Sequence, residues 1–165
     1  MSETKVIVRQ VCPDDVNVCA AIESACFPAS EAASYEKIAK RAQVYPDGFL
    51  VAERSGEVIG FVNSGASNSP DLSREELKDL SDHDPSGASI VIFSLAIRPD
   101  LHGQGLSRPL LGTFLLRARQ LGKQQVLLLC KPPLVAYYER FGFEDAGSSP
   151  STHGGSRWRE MRLTL

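Results

Sequence analysis

No stretch of this chain approaches the roughly 20 consecutive apolar residues of a membrane-spanning helix. An excess of positive charge is missing too: 18 Lys and Arg stand against 20 Asp and Glu, a net charge of −2. A protein that grips duplex nucleic acid carries a basic face or stripe, so this balance argues against such a partner. The opening Met1-Ser2-Glu3-Thr4-Lys5 lacks the basic-then-apolar pattern of a secretory leader, and a cytoplasmic address is the expectation. Cysteine is scarce, at four residues (Cys12, Cys19, Cys26 and Cys130), and no C-x-x-C pair occurs. That spacing argues against structural zinc and against a redox dithiol, so no metal is expected. Cys19 and Cys26, seven apart in a helical pattern, read as buried free thiols. Internal repeats and an interdomain linker are absent as well.

What is present is 165 residues that are 42% hydrophobic, enough for one well-buried core and too few for two comfortable domains. A single domain over 1–165 is the expectation. Val6-Ile7-Val8-Arg9 reads as an opening strand, followed by apolar residues at helical spacing (Val16, Cys19, Ile22, Cys26) with Asp14 or Asp15 suited to the helix start. A second amphipathic segment runs over about 34–44. Residues 49–53 and 57–63 read as a hairpin across Arg54-Ser55-Gly56. After a polar, turn-rich stretch at 68–88 with one short helix near 73–80, residues 89–97 form the strongest strand. It is apolar on alternate and intervening positions, as a strand covered on both faces should be. A long helix with the stripe Leu110, Leu111, Phe114, Leu115, Ala118 and Leu121 follows, then a strand at 125–130, a short helix at 134–141 and a closing hairpin. The order is mixed α/β.

Between the strong strand and the long helix lies Arg98-Pro99-Asp100-Leu101-His102-Gly103-Gln104-Gly105-Leu106-Ser107. A strand, a turn with two glycines and a helix N-terminus together suit a phosphate, because backbone approaches closely and free N–H groups face the anion. Two familiar phosphate loops are excluded by what is missing. The dinucleotide fingerprint needs a third glycine where Arg108 stands, and the P-loop needs a lysine where Leu106 stands.

The segment resembles the acetyl-CoA motif of GNAT acyltransferases, with Ser94-Leu95-Ala96-Ile97-Arg98-Pro99 as lead-in and His102-Gly103-Gln104-Gly105-Leu106-Ser107 as loop. His102 replaces the usual Gln or Arg, and Ser107 the final Gly or Ala. Leu127-Leu128-Leu129-Cys130 and the later Ala136-Tyr137-Tyr138-Glu139-Arg140-Phe141-Gly142-Phe143 are similar to the family's next strand and its FYxRFGF ending. With Phe27-Pro28 and Gly154-Gly155-Ser156-Arg157-Trp158, the chain resembles the arylalkylamine (serotonin) N-acetyltransferase branch, in its non-vertebrate form.

The resemblance implies a GNAT fold, a twisted mixed sheet of about seven strands flanked by about four helices. It implies acetyl-CoA as co-substrate, held by the backbone of Leu95, Ala96 and Ile97 and by the loop from His102 through Gly103, Gln104, Gly105, Leu106 and Ser107 to Arg108. The implied activity is acetyl transfer to a primary amine, an arylalkylamine or polyamine, by direct attack in a ternary complex. The Leu95 N–H would stabilise the oxyanion, and Tyr138 would protonate the departing thiolate. Tyr138 has a second reading as a packing residue beside Tyr137. Phe27, Pro28, Leu129 and His153 would line the amine pocket.

The vertebrate branch carries a His-x-His relay where this chain has Val91 and Phe93, and neither moves a proton. Glu31 resembles a glutamate of the insect amine acetyltransferases, which implies it as a base acting through water or as an attractor of the ammonium, against a reading as a solvated carboxylate; His153, His102 and a water chain are the other candidates. Six acids between Asp71 and Asp84 (Asp71, Glu75, Glu76, Asp79, Asp82, Asp84) face only Arg74 and Lys78, and would draw cationic amines if they border the site. Alternative activities are acetylation of a protein lysine, amino acid or antibiotic, or acyl-CoA binding without catalysis. The partner is a small amine, and the chain is expected as a monomer or homodimer.

Overall fold

The computed structural model describes residues 5–165, with the side chains of Glu75 and Glu76 excepted. Met1–Thr4, where the leader pattern was sought, lies outside the described residues. Seven strands form one mixed sheet in the order β1-β2-β3-β4-β5-β7-β6: β1 Ile7–Gln10, β2 Leu50–Arg54, β3 Glu57–Ser67, β4 Ser89–Ile97, β5 Gln125–Cys130, β6 Glu144–Ser148 and β7 Arg159–Thr164. The pairs β1/β2, β2/β3, β5/β7 and β6/β7 are antiparallel, whereas β4 and β5 run parallel. Helices are α1 Val16–Cys26, α2 Tyr35–Val44, the single turn α3 Glu75–Lys78, α4 Ser107–Gln120 and α5 Val135–Glu139. This is the mixed α/β GNAT architecture that the resemblance implied. The chain divides into two compact units, residues 1–63 with 94–117, and residues 64–93 with 118–165.

In the first unit, α1 and α2 bury Val16, Cys19, Ile22 and Ile38 against Phe49, Val51, Phe61 and Ala96. The hairpin β2–β3 turns on Ser55 and Gly56, both at positive φ (55° and 79°), the conformation a two-residue hairpin turn demands. Ser34 caps α2, its hydroxyl accepting the Lys37 N–H at 3.3 Å. The expected cap of α1 turns out differently. The Asp15 carboxylate accepts the Cys12 N–H at 2.7 Å and two bonds from Arg9 at 2.8 and 3.0 Å, tying β1 to the helix start.

The second unit holds a smaller apolar cluster of Leu72, Leu77, Val91 and Leu127, with half-buried Phe93 and Leu129 against it. β3 continues past the expected end at Asn63 through Ser64, Gly65, Ala66 and Ser67. Small residues hide this extension from a hydrophobic pattern, yet Ser64 and Ala66 are buried. The helix expected over 73–80 contracts to α3, and that expected over 134–141 splits into a 3-10 turn at Pro132–Leu134 and α5. Prolines 132 and 133 take the first positions of that turn, where a missing N–H costs nothing.

Candidate functional site

The first unit positions Leu95, Ala96 and Ile97 at the end of β4. Arg98 leaves the strand with its N–H on the Ile59 carbonyl at 2.8 Å. Pro99–Leu101 makes a 3-10 turn, and the chain then passes Gly103 and Gly105 at φ +81° and +72°. These left-handed positions carry no crowding, since a Cβ at either meets nothing within 4 Å. Backbone conformation alone therefore calls for glycine there. The Arg108 N–H bonds the Gly105 carbonyl at 3.3 Å, closing the entry to α4. Gln104 and Arg108 are exposed, Leu106 and Ser107 half-buried.

His102 has a structural task in this loop. Its Nε2 lies 2.6 Å from the Ile97 carbonyl, so Nε2 carries the proton and the ring clamps the loop onto the strand end. The Cys26 thiol donates to the same carbonyl at 3.1 Å. The Ile97 carbonyl is thus engaged by two side chains from within the same unit. Cys26 is held as a thiol, burial first and the nearby Glu23 charge second raising its pKa. Burial likewise pushes Cys19 up to about 12 and Cys130 up to about 11, in keeping with thiols that pack.

Phe27, Pro28 and Glu31 sit on the tight turn after α1, where the Glu31 and Ala32 N–H groups both donate to the Pro28 carbonyl at 2.8 and 2.9 Å. The residue that anchors this turn is one that sequence reasoning missed. Glu23 is only 2% exposed, and its Oε2 accepts the Ala33 N–H at 2.9 Å, while its buried Oε1 has no hydrogen-bond partner among the described residues. The available signal was an acid beside Ile22 on the apolar stripe of α1, which reads as a solvated carboxylate until the turn folds over it.

The second unit holds Tyr138, Leu129 and His153. Tyr138 on α5 is 8% exposed and packs edge-on against Tyr137 at 5.1 Å and Phe143 at 5.8 Å. Burial, with smaller contributions from Tyr137 and Cys130, raises its phenol well above the ordinary range, so it stays protonated. Val91 is buried in the apolar cluster and Phe93 half-buried against it. Val91 and Phe93 are thus hydrocarbon in an apolar cluster and carry no proton-transfer group. His153 holds a short turn, its carbonyl accepting the Trp158 indole N–H at 3.0 Å.

The segment 68–88 is fastened to this unit. His83 Nδ1 accepts the Ala66 N–H at 2.9 Å, and burial lowers its pKa, keeping the ring neutral. Lys123 is 7% exposed and donates to the Pro85 and Gly87 carbonyls at 2.7 and 2.6 Å. The acids here work locally: Asp71 accepts from the Ser73 N–H and hydroxyl, Asp84 from those of Ser86, and Asp82 pairs with Arg74 at 3.3 Å. Glu75 and Glu76 of the expected acidic run have side chains outside the described residues. Among the described residues no group of three His, Cys, Asp or Glu is placed to hold a metal ion, and no helix is long and apolar enough to cross a membrane.

The model of the acetyltransferase (GNAT) family matches residues 17–143. A mycothiol acetyltransferase of Acidothermus cellulolyticus is 32% identical over 106 residues, covering 62% of this chain and 32% of that protein. The serotonin N-acetyltransferase of Mesocricetus auratus is 28% identical over 114 residues, 67% of this chain and 52% of that protein. The chain thus spans about a third to a half of the length of these curated relatives. The GphF GNAT-like decarboxylase, solved in complex with isobutyryl-CoA, superposes with a TM-score of 0.83 at 20% identity, covering 96% of this chain and 98% of that one. At that identity the likeness is one of fold.

Proposed function

The chain belongs to the GNAT acetyltransferase family, and from that membership we propose that it moves an acetyl group from acetyl-CoA to a primary amine with an apolar body, of the arylalkylamine class. The observation that carries the reading is the β4–loop–α4 corner. Gly103 and Gly105 in left-handed conformation, and His102 clamped to the strand end, shape a turn whose backbone N–H groups suit a pyrophosphate. Acetyl-CoA supplies the activated thioester.

In this mechanism the amine nitrogen bonds the carbonyl carbon, the C–S bond breaks, and three protons move. The Leu95 N–H donates to the developing oxyanion. Glu31, through water, takes the ammonium proton before attack, the Tyr138 phenol protonates the departing sulfur, and the proton shed by the acylated nitrogen returns through water to the Tyr138 phenolate. Phe27, Pro28 and Leu129 contact the apolar part of the acceptor.

The deciding experiment follows free thiol from acetyl-CoA with a panel of primary amines, repeated for Glu31→Gln. Release above the water blank with aryl amines supports the proposal. No release with any amine, together with retained acetyl-CoA binding, would assign the chain to acyl-CoA binding without transfer.

Gly105 offers a second check. A left-handed φ costs a β-branched residue about 1–2 kcal/mol, so Gly105→Val should raise the KM for acetyl-CoA about tenfold with little change in kcat. Gly105→Asn, which tolerates that conformation, should lie between. An unchanged KM in the valine variant would show that the loop does not hold the co-substrate.

A further inference from the structure

Three chain segments of the first unit meet at one oxygen. The Ile97 carbonyl, at the end of β4, accepts the Cys26 thiol at 3.1 Å and lies 2.6 Å from His102 Nε2. A carbonyl oxygen has two lone pairs, so both bonds are made together. Cys26 is the last residue of α1, and His102 stands directly before the loop of Gly103 and Gly105. Burial first, and the Glu23 charge second, keep the Cys26 thiol protonated and therefore a donor. The strand end thus carries α1 on one side and the glycine loop on the other.

The turn that follows Cys26 is pinned at its far end as well. The Ala33 N–H bonds Glu23 Oε2 at 2.9 Å, and within the turn the Glu31 and Ala32 N–H groups meet the Pro28 carbonyl at 2.8 and 2.9 Å. Glu23 is 2% exposed, and its Oε1 has no hydrogen-bond partner among the described residues. A buried acceptor left unmet is costly, and an apolar residue on the same stripe of α1 would pack without that cost. A turn that only linked two helices would need no such anchor. Residues 27–32 are therefore held between a bond to β4 and a bond to α1, and their place is fixed by the strand end from which the glycine loop also departs.

We propose that the Ile97 carbonyl fixes the 27–33 turn and the glycine loop relative to each other, with Cys26 and His102 as its positioning residues, so that acetyl-CoA at the loop and the amine at the turn bind with coupled affinities. The placing of acetyl-CoA at the loop and of the amine at the turn rests on the transfer reading above. Such coupling is reciprocal. Removing the thiol on α1 is felt by the co-substrate, and removing the imidazole beside the loop is felt by the amine.

Calorimetric titration with acetyl-CoA tests the first half, with urea midpoints to show that each variant is folded. Cys26→Ala should weaken acetyl-CoA binding about fivefold, the effect of one net hydrogen bond, although Cys26 lies outside the loop. Cys26→Ser, which keeps a donor, should restore most of the affinity. His102→Ala should weaken binding about tenfold. The double variant should lose much less than the product of the two, because each single change already opens the shared joint. Steady-state thiol release tests the second half. At saturating acetyl-CoA, His102→Ala should raise the KM for the amine about threefold with kcat nearly unchanged. Wild-type affinity for acetyl-CoA in Cys26→Ala, equal losses in the alanine and serine variants, losses that multiply in the double variant, or a wild type that binds no acetyl-CoA overturns the proposal. An unchanged amine KM in His102→Ala overturns the coupling to the acceptor. The expected binding cycle with no thiol release from any amine leaves the joint standing and the transfer reading fallen.

Discussion

Tyr138→Phe should lower acetyl-CoA-dependent thiol release by about a hundredfold or more, the range that a positioned proton donor supplies, while leaving the fold nearly intact. The ring is what packs: its edge-on contacts to Tyr137 at 5.1 Å and Phe143 at 5.8 Å survive the substitution. Only the hydroxyl is removed, a change of about 1 kcal/mol in stability. The loss should therefore fall on kcat, with the KM for acetyl-CoA unchanged. Direction of the pKa shift sharpens the test. Burial holds the phenol above its ordinary value of 10.0, so the donor form persists through the neutral and mildly alkaline range. Wild-type kcat should show no Tyr138-linked fall as pH rises to about 10. The same shift works on stability with the opposite benefit, since a phenol buried in its neutral form stabilises below the unfolded pKa and loses that contribution at higher pH. A phenylalanine variant that turns over at the wild-type rate across pH would leave Tyr138 as a packing residue.

Much of the scaffold was legible because it is local. β4 announces itself as nine residues with polar side chains only at Ser89 and Ser94, and both of those serines are buried. The loop after it is legible because Gly103 and Gly105 take positive φ, a demand that sequence states directly. Contacts closed by distant segments were not. The bond from Cys26 to the Ile97 carbonyl joins residues 71 apart, and nothing local distinguishes that cysteine from one that merely fills space. Glu23 is the clearest instance. Its spacing on α1 is that of a core residue and its chemistry that of a surface residue. The conflict resolves only when the backbone N–H of Ala33 meets it. Such a conflict marks a position where packing and function meet. Lys78 and Lys131 were hidden for the converse reason. Each looks like an ordinary solvated charge, and only the tertiary arrangement brings both to the Trp158 ring, each at 5.9 Å from its centre.

The same contrast between local and distant contacts governs the largest expected change in stability. Asp15→Ala should destabilise the protein by about 3 kcal/mol, as removal of one member of a mostly buried ion pair does, lowering Tm by about 6–12 °C for a chain of this size. The Asp15 side chain is 9% exposed and accepts three bonds, two from Arg9 and one from the Cys12 N–H. Its removal leaves that N–H unpaired and Arg9 with Glu53, at 2.9 Å, as its remaining carboxylate. Arg9 is a third exposed, so water screens its charge and Arg9→Met should cost less, about 1–2 kcal/mol. The double variant should lose less than the sum, because both single changes break the same contact. Arg9 holds the Asp15 carboxyl below its ordinary 3.8. A depressed carboxyl stabilises the folded state fully above the unfolded pKa and loses that contribution as pH falls through the folded one. Urea midpoints of wild type and Asp15→Ala should therefore lie far apart at pH 7 and converge in acid below about pH 4. A gap of constant size across that range would mean that Asp15 acts by filling space and not by charge. The pair closes β1 onto the start of α1, the helix whose far end carries Glu23 and the Phe27-Pro28 turn. Loosening it should also raise the KM for the amine.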